Sequence, residues 1–150
     1  SNNATTGVIT EVTTIGDAPV SLADGNVTLT NATHSGRVLL VPDGGQDNTY
    51  TLPAPIAGSV FRFVYAGGAA DATDALIITP GNTNFYIGGV TFLDTDGNAI
   101  SSVFSNGSSN SSIQLNLPAG FDVTIVGLNT TNYQIFGNVT STTVPAFADQ

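Results

Sequence analysis

Residues 59–66, SVFRFVYA, constrain the fold of this chain more than any other stretch. In an extended strand, successive side chains point to opposite faces. One face of this strand therefore carries Phe61, Phe63 and Tyr65. The other face carries Val60, Arg62 and Val64. Three rings on one side of a strand form a large apolar surface that must be covered, so we expect this strand at the centre of a β core.

The rest of the chain is also typical of strands. No window repeats apolar residues with the helical period of 3.6, and Thr, Val and Ile outnumber good helix formers. Segment 37–41, RVLLV, is typical of a strand buried on both faces, and Gly88 with Gly89 predicts a bulge or bend between apolar runs at 85–87 and 90–93. Further strands are predicted at 8–12, 19–22, 27–29, 49–52, 75–79, 99–104, 113–117, 121–128 and 133–139.

These segments predict an all-β chain. At 150 residues the length suits one domain with a sizeable core. We predict a single-domain β-sandwich or jelly roll of about ten short strands. Residues 1–7 and 140–150 are polar and are expected to form flexible, extended arms.

The sequence contains one weak internal repeat. Leu52-Pro53-Ala54 leads through a glycine into VFRFV, and Leu117-Pro118-Ala119-Gly120 leads into FDVTIV. Both stretches have the order strand, Leu-Pro corner, glycine, strand. We interpret them as two related hairpins and not as a solenoid array.

Charge excludes two classes of partner. The chain has two basic residues, both arginine, against eleven acidic ones, and its formal net charge is −9. Phosphate backbones and anionic membrane surfaces would both be repelled, so we predict no nucleic-acid or membrane partner. No apolar run approaches the roughly 20 residues that span a bilayer. Cysteine is absent, so the fold depends on packing without disulfides.

The residue types needed for catalysis are scarce. His34 is the only histidine, Glu11 is the only glutamate, and neither cysteine nor lysine occurs. No G-x-S-x-G nucleophile elbow occurs, and a phosphate-binding loop needs a lysine that the chain lacks. Glycosidase chemistry needs two carboxylates that converge on a cleft, whereas Glu11 is the only glutamate and the aspartates lie mostly in turn sequences, where local hydrogen bonding explains them. We interpret His34 as a turn residue beside Ser35 and Gly36. No catalytic or cofactor-binding residue is predicted, and the chain is not expected to be an enzyme.

One stretch has closely spaced oxygen ligands. Asp94-x-Asp96-Gly97-Asn98 would suit Ca²⁺, although its glycine is at the fourth position and no glutamate closes the loop. The same residues are typical of a hairpin turn, which we favour over a calcium site. Asp43 and Asp47 form a similar but weaker pair. No metal site is therefore predicted.

Arg62 lies on the face opposite the three aromatic residues. A guanidinium in a strand that is otherwise apolar must form an ion pair or must reach the rim of the sheet. Two interpretations stay open: a rim position with the stem along the sheet, or an ion pair with an aspartate. The aspartate could belong to this chain or to another subunit.

A longer pattern runs through the middle of the chain. It comprises Val38-Leu39-Leu40-Val41, Tyr50-Thr51-Leu52-Pro53-Ala54, Gly58, Phe61-Arg62-Phe63-Val64, and Ile77-Ile78-Thr79-Pro80-Gly81 followed by Ile87-Gly88. The pattern, over roughly residues 27 to 137, resembles tailed-phage virion β-proteins. It is most similar to small capsid decoration, or cement, proteins, and similar stretches occur in tail-fibre modules.

This resemblance implies a structural role on a virion. Decoration proteins of this kind are β-sandwiches or jelly rolls, often homotrimers, and bind outside a capsid where major capsid subunits meet. The expected partners are the major capsid protein and further copies of the chain. The expected interface is an apolar strand surface plus the arms, with Arg37 or Arg62 as ion-pair anchors.

A second function is kept open. The chain could be a tail-fibre or adhesin module that binds a host-surface glycan. Tyr86 or Tyr133 would then offer a ring on which a sugar stacks, although packing in the core is the role we favour for both.

Overall fold

The computed structural model describes residues 17–150, together with the backbone of strands β1 (Asn2–Asn3) and β2 (Val8–Ile9). These two strands pair antiparallel. The remainder of the predicted arm at 1–7 and of the predicted strand at 8–12 lies outside the described residues. No helix in the described part of the chain is long and apolar enough to cross a bilayer.

Twelve further strands form two sheets, which confirms the prediction of an all-β sandwich. The large sheet has seven strands in the order β10-β9-β13-β12-β7-β5-β3. Its strands are β3 (Val20–Ser21), β5 (Arg37–Val41), β7 (Val60–Tyr65), β9 (Phe85–Asp94), β10 (Ala99–Phe104), β12 (Pro118–Gly127) and β13 (Asn132–Ser141).

The small sheet has five strands in the order β14-β11-β8-β6-β4. Its strands are β4 (Val27–Thr28), β6 (Asn48–Thr51), β8 (Ala75–Ile78), β11 (Ser112–Leu115) and β14 (Ala146–Ala148). One helical turn, α1 (Asn31–His34), connects β4 to β5.

From β3 to β9 the chain winds back and forth between the two sheets, and each turn of this winding lies beside the previous one. From β3 to β9 every connection crosses from one sheet to the other. Strands β3, β5 and β7 are therefore parallel neighbours in the large sheet, and β4, β6 and β8 are parallel neighbours in the small one. Jelly rolls are built from antiparallel strands, so of the two predicted architectures the sandwich is the one that fits.

The two Leu-Pro corners are not hairpins, and here the prediction is wrong. The first connects β6 to β7 and the second connects β11 to β12, so each corner crosses between the sheets. The strands on its two sides face each other through side chains and do not share hydrogen bonds. Leu52 is 1 % exposed because it fills the space between the sheets at the first corner.

Two columns of side chains fill the core. In the large sheet, register aligns Val20, Leu39, Phe63 and Val123 on neighbouring strands. In the small sheet it aligns Val27, Tyr50, Ile77, Ile113 and Phe147. The Tyr50 and Phe63 ring centroids lie 6.3 Å apart, so an aromatic contact joins the two columns.

The predicted alternation of β7 is confirmed. Phe61 and Phe63 are completely buried, Tyr65 is partly buried, and Arg62 faces outward. For β5 the prediction of burial on both faces is only half right. Leu39 and Val41 are buried, whereas Val38 and Leu40, which point to the other face, are half-buried because nothing in the described chain covers that side of the sheet.

The C-terminal residues do not form an arm, which corrects the prediction for 140–150. β13 extends to Ser141, and β14 pairs with β11 at the edge of the small sheet. Phe147 packs edge-on against Tyr86, with ring centroids 6.2 Å apart. The Gln150 amide donates hydrogen bonds to the carbonyl oxygens of Thr79 and Ser111 at 2.9 and 3.0 Å. One aromatic residue and one amide therefore anchor a segment that looks polar in sequence.

Two glycines in neighbouring strands of the large sheet have positive φ angles. Gly88 on β9 has φ +98° and Gly137 on β13 has φ +139°. β9 continues through Gly88 and Gly89 as one strand and pairs with β10 without a register shift, so the predicted split between the two apolar runs is wrong. A Cβ at Gly137 would lie 2.0 Å from the Asp122 carbonyl oxygen, so only glycine lets β13 approach β12 this closely.

Candidate functional site

The most distinctive surface of the described chain is the outer face of the large sheet. Alternation along β7, β12, β13 and β9 puts one set of side chains into the core and the other set outside. We call the outer set, with the exposed side chains of β10, the outer face. Its central members are Arg62, Thr91, Ile100, Ser102, Phe104, Asp122, Thr124, Phe136 and Asn138.

Large apolar side chains are exposed on this face. Ile100 and Phe104 are each 73 % exposed, and Phe136 is 50 % exposed. Half-buried Val38, Leu40, Val60 and Val64 extend the apolar area across β5 and β7. Scattered apolar residues are normal on a protein surface, but a contiguous set on one flat sheet is typical of a contact site.

Two shallow grooves flank the Phe136 ring. The first, of about 370 Å³, runs between Phe104 and Phe136 and includes Gly89 and Gly137 in its lining. The second, of about 310 Å³, lies on the other side, beside Arg62 and Asp122. Because Gly89 and Gly137 have no side chains, the floor of the first groove is low and the Phe104 and Phe136 rings form its sides. Grooves of this shape suit a side chain or a sugar ring, and neither is closed enough to exclude water.

Arg62 forms a two-point ion pair with Asp122 on the neighbouring strand. Its Nε and Nη2 atoms donate to the two carboxylate oxygens at 2.9 and 2.6 Å. Of the two interpretations of Arg62, the ion pair is confirmed, and its partner lies in the same chain. The hydrogen bonds from Arg62 lower the pKa of Asp122, and the pKa of Arg62 is raised in return.

The ion pair should make a small, pH-dependent contribution to stability. Because the pKa of Asp122 is lowered on folding, this contribution is present above the unfolded pKa and is lost as pH falls through the folded pKa. Both side chains are more than a third exposed, so we expect Asp122→Asn to cost less than about 1 kcal/mol at pH 7. Urea unfolding should show this cost shrinking below about pH 4. A cost that stays constant down to pH 2 would contradict the assignment.

Arg37, the other predicted anchor, has a different role. Its Nε atom donates to the Ala18 carbonyl oxygen at 3.0 Å, and its Nη1 atom donates to the Thr33 carbonyl oxygen at 3.4 Å. Within residues 17–150 the Arg62–Asp122 contact is the one ion pair. Arg37 therefore ties two chain segments together beside β5, away from the outer face.

His34 is the last residue of the one-turn helix α1 and lies directly before the turn at Ser35 and Gly36, whereas the sequence predicted a turn residue. Its Nδ1 atom lies 2.9 Å from the backbone nitrogen of Thr30. The Thr30 hydroxyl caps the same helical turn by accepting from the Thr33 backbone at 3.3 Å. This ring therefore takes part in local backbone contacts at the end of one helical turn.

Two of the four aspartates considered as calcium ligands, Asp94 and Asp47, accept hydrogen bonds from backbone N–H groups. Asp94 Oδ1 accepts hydrogen bonds from the backbone of Asp96 at 2.9 Å and Gly97 at 3.1 Å, and closes the β9–β10 hairpin. This confirms the turn interpretation of 94–98. Of the weaker pair, Asp47 accepts from the Asp74 backbone at 2.9 Å. Among the described residues, no three His, Cys, Asp or Glu side chains are grouped to hold a metal ion.

Tyr86 and Tyr133 lie in the core, so the hypothesis that they stack with a sugar is wrong. Both are completely buried. Their hydroxyls donate to the carbonyl oxygens of Ile77 at 3.0 Å and Pro53 at 2.7 Å, which satisfies the polar end of each ring. Core packing, the favoured interpretation, is confirmed.

Burial should also appear in the titration of the tyrosines. Burial raises the pKa of Tyr50 and of Tyr133 to about 12, and it raises the pKa of Tyr65 and Tyr86. Neutral rings stabilise the fold below the unfolded pKa near 10, and this contribution is lost as pH rises toward 12. We expect little tyrosinate absorbance at pH 10.5 in the native protein and more than half of the full signal in denaturant. Equal signals in the two states would contradict the burial.

Sequence reasoning missed the two exposed rings. Along β13, Tyr133, Ile135 and Val139 face the core, so Phe136 is the one large apolar residue in the polar half of the alternation. An apolar ring at an outward position of the strand indicates an exposed aromatic residue, and this could have been read from the sequence. No such sequence signal exists for Phe104, because the sequence does not reveal that β10 is an edge strand. No protein-family model, curated protein or solved structure matches this chain, so the purpose of the outer face is argued from its own chemistry.

Proposed function

We propose that this chain is a structural virion protein: a decoration protein that binds the outside of a phage capsid and stabilises contacts between its major capsid subunits. The observation that carries the proposal is the outer face, where Phe104 and Phe136 stand exposed beside the Arg62–Asp122 ion pair. The sequence pattern resembling decoration proteins supports the same role. The homotrimer implied by that pattern is part of the proposal.

The size of the face suits such a contact. Seven strands about 4.8 Å apart and roughly six residues long present a surface of about 30 Å by 20 Å. This is about 600 Å², close to the ~800 Å² that each partner contributes to a standard interface. Exposed aromatic side chains beside an arginine also match the residue types that dominate binding energy.

Capsid stabilisation would follow from binding alone. A ligand that binds the intact shell and not its separated subunits stabilises the shell by mass action. Such a protein needs no catalytic group. It needs a rigid surface, which the two-sheet core provides.

The proposal predicts a specific loss of binding. Phe104→Ala with Phe136→Ala should lower the affinity for undecorated capsids by at least about 100-fold, since two anchors are removed. Ile56→Ala is the matched control, because Ile56 is 55 % exposed but lies on the connection between the sheets. Co-sedimentation with capsids of the encoding phage gives the affinities. Unchanged binding by the double variant would contradict the proposed face.

Copy number tests the role itself. Quantitative mass spectrometry of purified virions should find this chain in numbers comparable with the capsid sites it covers. A handful of copies per particle, or none, would remove the decoration role.

Glycan binding by a tail fibre or adhesin is the second candidate, and one observation favours it. The groove between Phe104 and Phe136 has the hydroxyl groups of Thr91 and Ser102 in its lining, and the Asn138 amide lines the second groove on the other side of Phe136. Rings beside hydrogen-bonding groups are a common way to hold a sugar. Low copy number, a tail location and shifts of the Phe104 and Phe136 NMR signals with millimolar sugar would favour this candidate over decoration.

A further inference from the structure

The edge of the large sheet formed by β10 is open along one side. In an antiparallel pair, hydrogen-bonded and non-bonded positions alternate. The Ser105 backbone donates to the Gly88 carbonyl oxygen at 2.9 Å, which fixes that alternation for the β9–β10 ladder. The N–H and C=O groups of Ile100, Ser102 and Phe104 therefore point away from β9. Within the described residues no strand pairs with that side.

This edge lacks the usual protection against pairing. Natural edge strands are commonly blocked by charged side chains, proline or a bulge. β10 has the sequence AISSVF, pairs without interruption over six positions, and contains none of these. Its Ile100 and Phe104 side chains are 73 % exposed. An uncharged, apolar and exposed edge is a template for an added strand.

Carboxylates lie at both ends of the edge. Asp94 and Asp96 belong to the hairpin turn that precedes Ala99. Past the other end, Asn110 accepts a hydrogen bond from the Asn106 backbone at 2.9 Å and donates to Asp149 at 3.2 Å. A partner strand along β10 thus meets an apolar middle with negative charge beyond each end.

That charge distribution argues against a second copy of this chain as the occupant. Antiparallel self-pairing would bring the acidic turn of one copy toward the Asp149 end of the other. Parallel self-pairing would bring the two acidic turns together. A chain of net charge −9 has no spare basic residue here to offset either arrangement, since Arg62 is paired and Arg37 lies beside β5.

We propose that β10 receives an extended segment of the capsid partner, about six residues long, with alternating apolar side chains and a Lys or Arg at each end. This inference rests on the proposed function and specifies how the partner engages. The added strand would continue the large sheet, place its apolar side chains against Ile100 and Phe104, and bring its basic ends to the carboxylates.

Hydrogen exchange with a synthetic peptide tests this directly. The probe is Lys-Val-Thr-Val-Thr-Val-Thr-Lys, and the control carries Glu at both ends around the same core. With the Lys peptide, the amides of Ile100, Ser102 and Phe104 should exchange at least about 10-fold more slowly. The amides of Ser101 and Val103, already bonded to β9, should change little. The Glu peptide should give no protection.

Ser102→Pro is the sharpest variant. Its ring removes an N–H that points outward, so the β9 ladder keeps its hydrogen bonds while the added strand loses its central partner. We expect peptide protection to disappear and the melting temperature to stay near that of the wild type. If this variant fails to fold, Asp96→Asn with Asp149→Asn replaces it, and that pair should weaken Lys-peptide binding at least 3-fold.

The outcomes separate this inference from the decoration role. Equal protection by both peptides, or none at the three outward amides, would overturn it. So would protection of those amides in the free protein together with a dimer mass in light scattering, which would identify a second copy as the occupant. Full capsid binding by Ser102→Pro would overturn the strand addition and leave decoration intact. Peptide binding without any capsid binding would overturn decoration and the capsid as the source of the segment, and would leave only the strand-accepting edge.

Discussion

Replacing Phe63 with alanine is expected to lower the free energy of unfolding by about 3–5 kcal/mol, because it removes a large buried side chain and leaves a cavity. The ring is completely buried, in register with Leu39 and Val123, and packs against Tyr50 across the two sheets. For a domain of this size the melting temperature should fall by roughly 6–20 °C. Urea unfolding and calorimetry would measure the two quantities.

Phe136→Ala is the matched control, since it removes the same ring from the opposite face of the same sheet. Phe136 is 50 % exposed, so we expect a loss below about 1 kcal/mol. Similar losses for the two variants would mean that the large sheet does not have the inner and outer faces described here.

Gly137→Ala should be nearly as damaging as the core truncation, by about 3 kcal/mol or more. The added Cβ would lie 2.0 Å from the Asp122 carbonyl oxygen and 2.8 Å from the Val123 Cα, both backbone atoms of β12. The substitution must either push two paired strands apart or move Gly137 from a φ of +139° that alanine rarely adopts.

Gly68→Ala provides the comparison for this second substitution. No atom lies within 4 Å of a Cβ built at Gly68, which is in an exposed loop and has no positive φ. Its stability should change by less than about 0.5 kcal/mol. A Gly137→Ala protein that unfolds at the wild-type urea concentration would disprove the close approach of β12 and β13.

Much of the fold could be predicted from the sequence because apolar and polar residues alternate along a half-buried strand with a period of two residues. Alternation placed Phe61 and Phe63 in the core and Arg62 outside, and the structure agrees. The same signal located β12, where Phe121, Val123 and Ile125 are buried in turn. Which residues form a strand, and which of their side chains point to the core, are local properties that a window of a few residues can reveal.

Strand pairing could not be predicted in the same way. A hairpin and a corner between sheets have the same order of strand, turn and strand, and they differ only in which distant strand supplies the hydrogen bonds. Leu52 was therefore placed in a hairpin, although it fills the core between the sheets. β14 was missed because three residues paired to β11 carry almost no periodic signal.

The candidate site was predictable only in part. A guanidinium on a strand face needs a partner, and this requirement anticipated the Arg62 ion pair but not the identity of Asp122. Exposure depends on where a strand lies in its sheet, which the sequence does not state. The exposure of Phe104 therefore could not be predicted, because it depends on the strand order that puts β10 at an edge.

Electron cryomicroscopy of the intact virion would show both where this protein binds and which face it turns to its partner. We expect many copies of this sandwich on the outer surface of the capsid, with Phe104 and Phe136 of the large sheet turned toward the shell. Copies seen only on the tail, or capsid-bound copies that turn these rings toward solvent, would contradict this expectation.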